Sequence, residues 1–211
     1  MVSRVPRRML YVDGPRRGGG ETAMNAMRSR ARPPGFLVVG VDGSAGAVNA
    51  LRWAADNAIR SGERLVVIHA WAYLPPAAAT SLGWTARDRL RQQAAARRAL
   101  TFCLSAVFGS AVAGEGSWLV DGLSVSVELR EGAPGPVLCA AAIGASQLVV
   151  GVRGRSPTAG LLLGSVSQHV AAHASCPVTV VRDLEHGRRW PQNLGRAKIQ
   201  QVGTPSSGPA A

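Results

Sequence analysis

Gln147-Leu148-Val149-Val150-Gly151-Val152-Arg153-Gly154, followed nine residues later by Gly164-Ser165-Val166, is the stretch on which the fold turns. The apolar run predicts a buried strand. The glycines after it, in the spacing G-x2-G-x9-G-S, predict a loop that opens a helix. Such a strand–loop–helix unit presents free backbone N–H groups and the positive end of a helix dipole to an anion. Glycine lets the backbone approach a phosphate with no Cβ in the way. Ser165 is expected at or near the helix start, where its hydroxyl caps the helix or reaches a phosphate oxygen. The pattern is neither a Walker A loop, which needs Gly-Lys-Ser/Thr, nor a G-x-G-x-x-G fingerprint. Spacing alone leaves a nucleotide loop and an ordinary glycine-rich strand-to-helix turn both open.

A second element bears on that choice. Phe36-Leu37-Val38-Val39-Gly40-Val41-Asp42-Gly43-Ser44 reads as a buried strand ending in a small-residue turn, with a helical stretch from Ala45 to Arg60 behind it. In a parallel α/β sheet the carboxyl ends of the strands share one rim, and ligands bind there. Asp42 and the Gly151 loop therefore belong to the same rim, a carboxylate opposite an anion cradle. An adenine nucleotide requires that combination. Asp42 as a helix N-cap is the competing reading, and Ser44 competes with it for that position.

The whole pattern runs strand 35–41, helix 45–61, strand 64–70, helix 85–108, strand 123–130, helix 134–143, strand 147–152, helix 164–174, strand 177–182. Strands alternating with helices predict a parallel sheet with right-handed crossovers. Residues 73–85, with Pro75-Pro76, read as a loop over the rim and a candidate lid.

These residues resemble the universal stress proteins. The resemblance rests on Val39-Gly40-Val41-Asp42-Gly43-Ser44, Val67-Ile68-His69-Ala70-Trp71, Leu148-Val149-Val150-Gly151, Arg153-Gly154-Arg155, Leu161 through Val170 and Cys176-Pro177-Val178-Thr179-Val180-Val181. It covers about Pro34 to Arg182 and carries the glycine pattern of the ATP-binding branch. It implies a doubly wound five-stranded parallel α/β sheet, order 3-2-1-4-5, of the adenine nucleotide alpha hydrolase-like kind. It further implies a homodimer that binds ATP, with Mg2+, and serves a stress or dormancy response. Carried over position by position, Asp42 contacts adenosine with Gly40 beside it, and Ala70 touches adenine through its backbone. Gly151, Arg153, Gly154 and Arg155 form the near phosphate wall, which Gly164, Ser165 and Val166 close. The chain departs from the family at Ala145-Ser146-Gln147, where an Asp often precedes the fourth strand. It departs again at Gly114 to Gly122, which reads as longer and more flexible than usual.

Composition fits one domain with tails. The 211 residues are 46% hydrophobic, enough for a sizeable core. Of the net charge of +12, residues 35–182 carry +4, from 12 Arg against 8 acidic residues, and the ends carry the rest. The leader 1–33 and the tail 183–211 read as disordered, since neither has a periodic apolar face. Met24 and Met27 are alternative starts, and Arg7-Arg8 lacks the apolar segment of an export signal. Nucleic-acid binding is therefore expected only as non-specific contact of the tails. Arg87, Arg89, Arg91, Arg97 and Arg98 read as a solvated helix face.

The charge-free stretches 133–152 and 156–181 are cut by glycine and proline, which fits buried α/β segments and not membrane spans. Cys103, Cys139 and Cys176, odd in number and unclustered, fit a reducing cytoplasm. His169 and His173 sit four apart with no acidic residue nearby, too little for a metal site. His69 reads as a packed, hydrogen-bonded rim residue. ATP hydrolysis needs a positioned base, and no acidic residue lies between Glu131 and Asp183. A nucleotide sensor with at most slow hydrolysis is the expected class. A nucleotide-free dimerisation or interaction module of the same fold is the alternative, and an arginine-tailed nucleic-acid-associated protein is a lesser one.

Overall fold

The computed structural model describes residues 35–72, 86–109, 112, 114–154, 163–182 and 198–203. Its elements are β1 (Phe36–Gly40), α1 (Ala45–Ser61), β2 (Arg64–Trp71), α2 (Ala86–Phe108), β3 (Gly116–Val120), β4 (Leu123–Glu131), α3 (Pro134–Ala141), β5 (Gln147–Gly151), α4 (Ser165–His173), β6 (Val178–Val181) and β7 (Ile199–Gly203). They form one seven-stranded sheet in the order β6-β5-β1-β2-β4-β3-β7.

The five strands expected from sequence are the parallel block β4-β2-β1-β5-β6 in this order. Alternation along each strand divides the core. Leu37 and Val39 of β1, Leu65 and Val67 of β2, and Val149 of β5 pack against α1 and α2. Val38, Ile68, Leu148 and Val150 pack against α3 and α4 on the other face. Both faces are covered, which is why these strands are almost uniformly apolar. Connections leave β1 over one face and enter β5 from the other. The helices therefore diverge between β1 and β5, and a crevice opens above their carboxyl ends.

Two strands correct the expectation of five. β3 pairs antiparallel with β4 from Gly116↔Val127 to Val120↔Leu123. The turn between them is Asp121-Gly122, both with positive φ, at +47° and +86°. That is the type I′ geometry favoured by Asp-Gly, and its twist matches that of the flanking strands. The segment expected to be loose is thus a tight hairpin. β7 pairs antiparallel with the outer edge of β3, Val120 opposite Ile199 and Leu119 opposite Gln200. It lies inside the tail 183–211, so the expectation of disorder fails there. Of the remaining expectations, the leader 1–33, the candidate lid at 73–85 and Arg155 lie outside the described residues.

Ser44 is the N-cap of α1, its hydroxyl accepting from the Ala47 N–H at 3.1 Å. Asp42 does not cap the helix. Its Oδ1 accepts from the Ser44 N–H at 2.9 Å and the Ser44 hydroxyl at 2.6 Å, holding the capping side chain in place. On α2 the arginines lie at the surface, where Arg89 pairs with Glu131, Arg97 with Glu115 and Arg91 with Asp88.

Candidate functional site

A cavity of about 370 Å³ fills the crevice at the ends of β1 and β5. That is within the range of roughly 300–1,000 Å³ usual for small-molecule pockets. Gly40, Asp42, Ala70, Gly151, Arg153, Gly154, Gly164, Ser165 and Val166 all line it. The structure therefore brings together every sequence-derived site residue except Arg155, which is not among the described residues.

The wall has two chemical halves. Val41, Ile68, Ala70, Pro134 and Leu138 form an apolar side, where β1 and β2 end and α3 begins. Pro134 suits this place because a proline in the first helical turn gives up no needed hydrogen bond. The opposite side is the start of α4. Gly164, in extended conformation, is its N-cap residue, and no side chain caps the helix. Ser165 is exposed and is the first residue of the helix, at its start as expected; of the two roles open to its hydroxyl, capping falls away because Gly164 is the N-cap. The first-turn N–H groups of Ser165, Val166 and Ser167 have no intrahelical acceptor. The Asp42 carboxylate and the exposed Arg153 stand between the two halves.

The three glycines of the pattern do three different things. A Cβ on Gly151 would meet the Gly46 carbonyl carbon and oxygen at 2.9 Å, so this glycine admits the backbone of α1. A Cβ on Gly154 would stand 2.6 Å from Asp42 Oδ2, so this glycine keeps the space before the carboxylate open. A Cβ on Gly164 would find ordinary contacts, 3.5–3.6 Å from Arg153, Val152 and Gly154 backbone. Nothing in the protein itself excludes a side chain there.

Ser167 was not singled out in the sequence and holds the arrangement together. It is buried, and its hydroxyl donates to the Gly151 carbonyl at 2.7 Å. With the Gly164 N–H on the Val152 carbonyl at 2.9 Å, it ties the first turn of α4 to the end of β5. His69 is buried at the rim as expected, and its Nδ1 must donate, because its partner at 2.8 Å is the Val41 carbonyl. The His169 and His173 rings stack with centroids 4.4 Å apart. Among the described residues no three His, Cys, Asp or Glu side chains are grouped to hold a metal ion. No helix among them is long and apolar enough to cross a membrane.

Behind this rim lies Cys103 of α2, fully buried, its thiol pushed up to about 11. Burial is the main cause, opposed by the Gly43 backbone and reinforced by the Asp42 charge. Half-buried Cys139 and Cys176 are also raised, again chiefly by burial.

The universal stress protein family model matches residues 37–182. A universal stress protein of Mycobacterium tuberculosis is 32% identical over 147 residues, 70% of this chain and 45% of that protein. Another from Thermus aquaticus is 33% identical over 148 residues, 69% of this chain and 97% of that one. This chain thus spans about half the length of the mycobacterial relatives it matches, and nearly all of the Thermus one. The solved universal stress protein UspA from Lactobacillus plantarum is 23% identical, with a TM-score of 0.51, covering 70% of this chain and 97% of that chain. That likeness shows the fold. With the family model spanning most of the chain and the glycine pattern on its rim, this chain belongs to the universal stress protein family.

Proposed function

We propose that the rim cavity binds ATP and that the protein is a nucleotide-dependent regulator in a stress or dormancy response. One observation carries the reading. The uncapped first turn of α4, the Asp42 carboxylate and Arg153 face a single cavity whose opposite wall is apolar. A flat base fits against Val41, Ile68, Ala70 and Leu138, with Asp42 accepting from the nucleoside. Phosphates fit the N–H groups of Ser165, Val166 and Ser167, where the helix dipole favours negative charge, and Arg153 adds a full positive charge. Arg155 belongs to the same wall in this reading. Mg2+ would arrive on the phosphates and find the Ser165 hydroxyl as the protein oxygen on that side. Among the described residues no carboxylate lines the phosphate side, so at most slow hydrolysis is expected. The protein acts as a sensor, in the reducing cytoplasm where its three free thiols persist.

A second reading has its own support. Gly151 and Gly40 are explained by packing alone, since a Cβ on Gly40 would meet Leu138 at 2.6 Å. A nucleotide-free interaction module of this fold would keep both. Calorimetry with ATP, ADP and AMP separates the two readings. Gly154→Val fills the space before Asp42, and Asp42→Asn removes the charge while keeping an acceptor for Ser44. Each should weaken ATP binding by about 2 kcal/mol, the cost of an unpartnered polar group. Unchanged affinity in both variants, or no binding by the parent protein, hands the cavity to the second reading.

A further inference from the structure

Three cysteines far apart in the sequence divide into one and a pair in the fold. Cys103 is fully buried on the α1 and α2 side of the sheet, whereas Cys139 and Cys176 are half-buried and pack on the cluster of the opposite face. The helices α3 and α4 bring the pair together. Both start at the rim, with Pro134 and Ser165 in the cavity wall, and they run side by side away from it. A Cβ on Gly135 would meet His169 Cδ2 at 2.5 Å and His169 Cβ at 3.0 Å, so the first turn of α3 lies against the middle of α4. Cys139 is one turn on from Gly135 and on the same face, because residues four apart are neighbours on a helix. One turn on from His169 is His173, and the chain leaves α4 at Ala174. Cys176 follows two residues later, held beside β5 by the Leu148 N–H on the Pro177 carbonyl at 2.9 Å. Ala174, Cys139 and Cys176 all pack on the cluster that holds Leu138 and Leu148. The two sulfurs also feel each other. The Cys176 thiol is pushed up chiefly by burial, against the Leu148 backbone, and further by Cys139.

We propose that Cys139 and Cys176 form a redox-active dithiol that closes to a disulfide within one chain when small disulfides outweigh small thiols around it. One cysteine thiolate attacks a sulfur of the small disulfide and expels half of it as a thiolate, which takes up a proton. The second cysteine thiolate then attacks the protein sulfur of the mixed disulfide and expels the other half in the same way. The dithiol gives up two protons and two electrons, and the small disulfide leaves as two thiols. Burial raises both cysteines, which keeps them protonated and slow near neutral pH. The pair therefore answers a standing redox poise and not a brief pulse of oxidant. The bond joins α3, which carries the Leu138 side of the cavity, to the far end of α4, whose first turn carries the opposite side. Its chemistry does not depend on what the cavity binds.

The full chain would be equilibrated in mixtures of reduced and oxidised glutathione, quenched with acid, alkylated under denaturing conditions and mapped by peptide mass. The parent should lose two thiols together, with Cys139 and Cys176 in one linked peptide, no retained glutathione, and Cys103 alkylated. Its equilibrium constant for closure should be at least ~10-fold above that of the urea-unfolded chain, because the fold raises the effective concentration of one sulfur at the other. Cys139→Ser and Cys176→Ser should each stop at the mixed disulfide, with one glutathione kept on the remaining cysteine. Circular dichroism of the oxidised parent should match that of the reduced protein. Glutathione kept on both cysteines of the parent, a link through Cys103, or a link found only in a species of doubled mass would overturn the proposal. So would a constant no larger than that of the unfolded chain, or loss of the fold on closure.

Discussion

Three glycines with one spacing have separate causes, and single substitutions tell them apart. Gly151→Ala drives a Cβ into the α1 backbone and should destabilise the fold by about 1–3 kcal/mol with or without nucleotide, the usual range for overpacking. Gly164→Ala meets no clash, so denaturant unfolding should show a change within about 1 kcal/mol, mostly lost N-cap preference. Its Cβ nevertheless narrows the cradle between α4 and the Val152–Gly154 backbone, so ATP affinity should fall at least ~10-fold, or about 1.4 kcal/mol. Equal ATP affinity in Gly164→Ala and parent would show that no phosphate passes there. Cys103 gives the residue scale a pH signature. Its thiol titrates near 11 in the fold against an ordinary value of 9.0. A raised native pKa means the contribution is complete below pH 9 and disappears as pH climbs through 11, because the unfolded chain ionises first. The slope amounts to about 2–3 kcal/mol over that window. Urea unfolding of parent and Cys103→Ala between pH 8 and 11 should show a steeper decline in the parent.

At the scale of elements, the centre of the parallel block was legible because β1 and β5 are buried on both faces. Val38, Val39, Val149 and Val150 leave no polar position to confuse the period. The rim followed from the strand order, and with it the meeting of Asp42 and the Gly151 loop. β3 was signalled and passed over. Trp118-Leu119-Val120, Asp121-Gly122 and Leu123-Ser124-Val125 form a hairpin pattern, but the glycines at 114, 116 and 122 drew the reading towards a loose loop. β7 had no such signal. Ile199-Gln200-Gln201-Val202-Gly203 has no apolar face of its own and is a strand only because β3 offers it an edge. Ser167 was hidden by one residue of uncertainty in the start of α4. With Gly164 as N-cap, Ser165 falls outward and Ser167 turns back onto the Gly151 carbonyl.

For the molecule as a whole, the two edges of the sheet differ in kind. β6 pairs only with β5 among the described strands. The Leu148 N–H bonds the Pro177 carbonyl at 2.9 Å and the Val152 N–H the Val181 carbonyl at 2.8 Å, which leaves the backbone of Val178 and Val180 pointing outward. We propose homodimerisation there, each β6 pairing with its copy. Val180→Pro removes one outward donor and leaves the bonds to β5 intact, so it should yield a monomer by light scattering. A monomeric parent would end this reading. The opposite edge is closed by β7, the last of the described strands in chain order, and that sets an order of events. A ribosome delivers β7 after every other strand, and its pairing of Val120 with Ile199 joins residues far apart in the chain. During synthesis the parallel core can therefore form while β3 is still bare. A nascent chain passes through a sticky interval that β7 later closes, and its length is set by how fast the residues between β3 and β7 emerge.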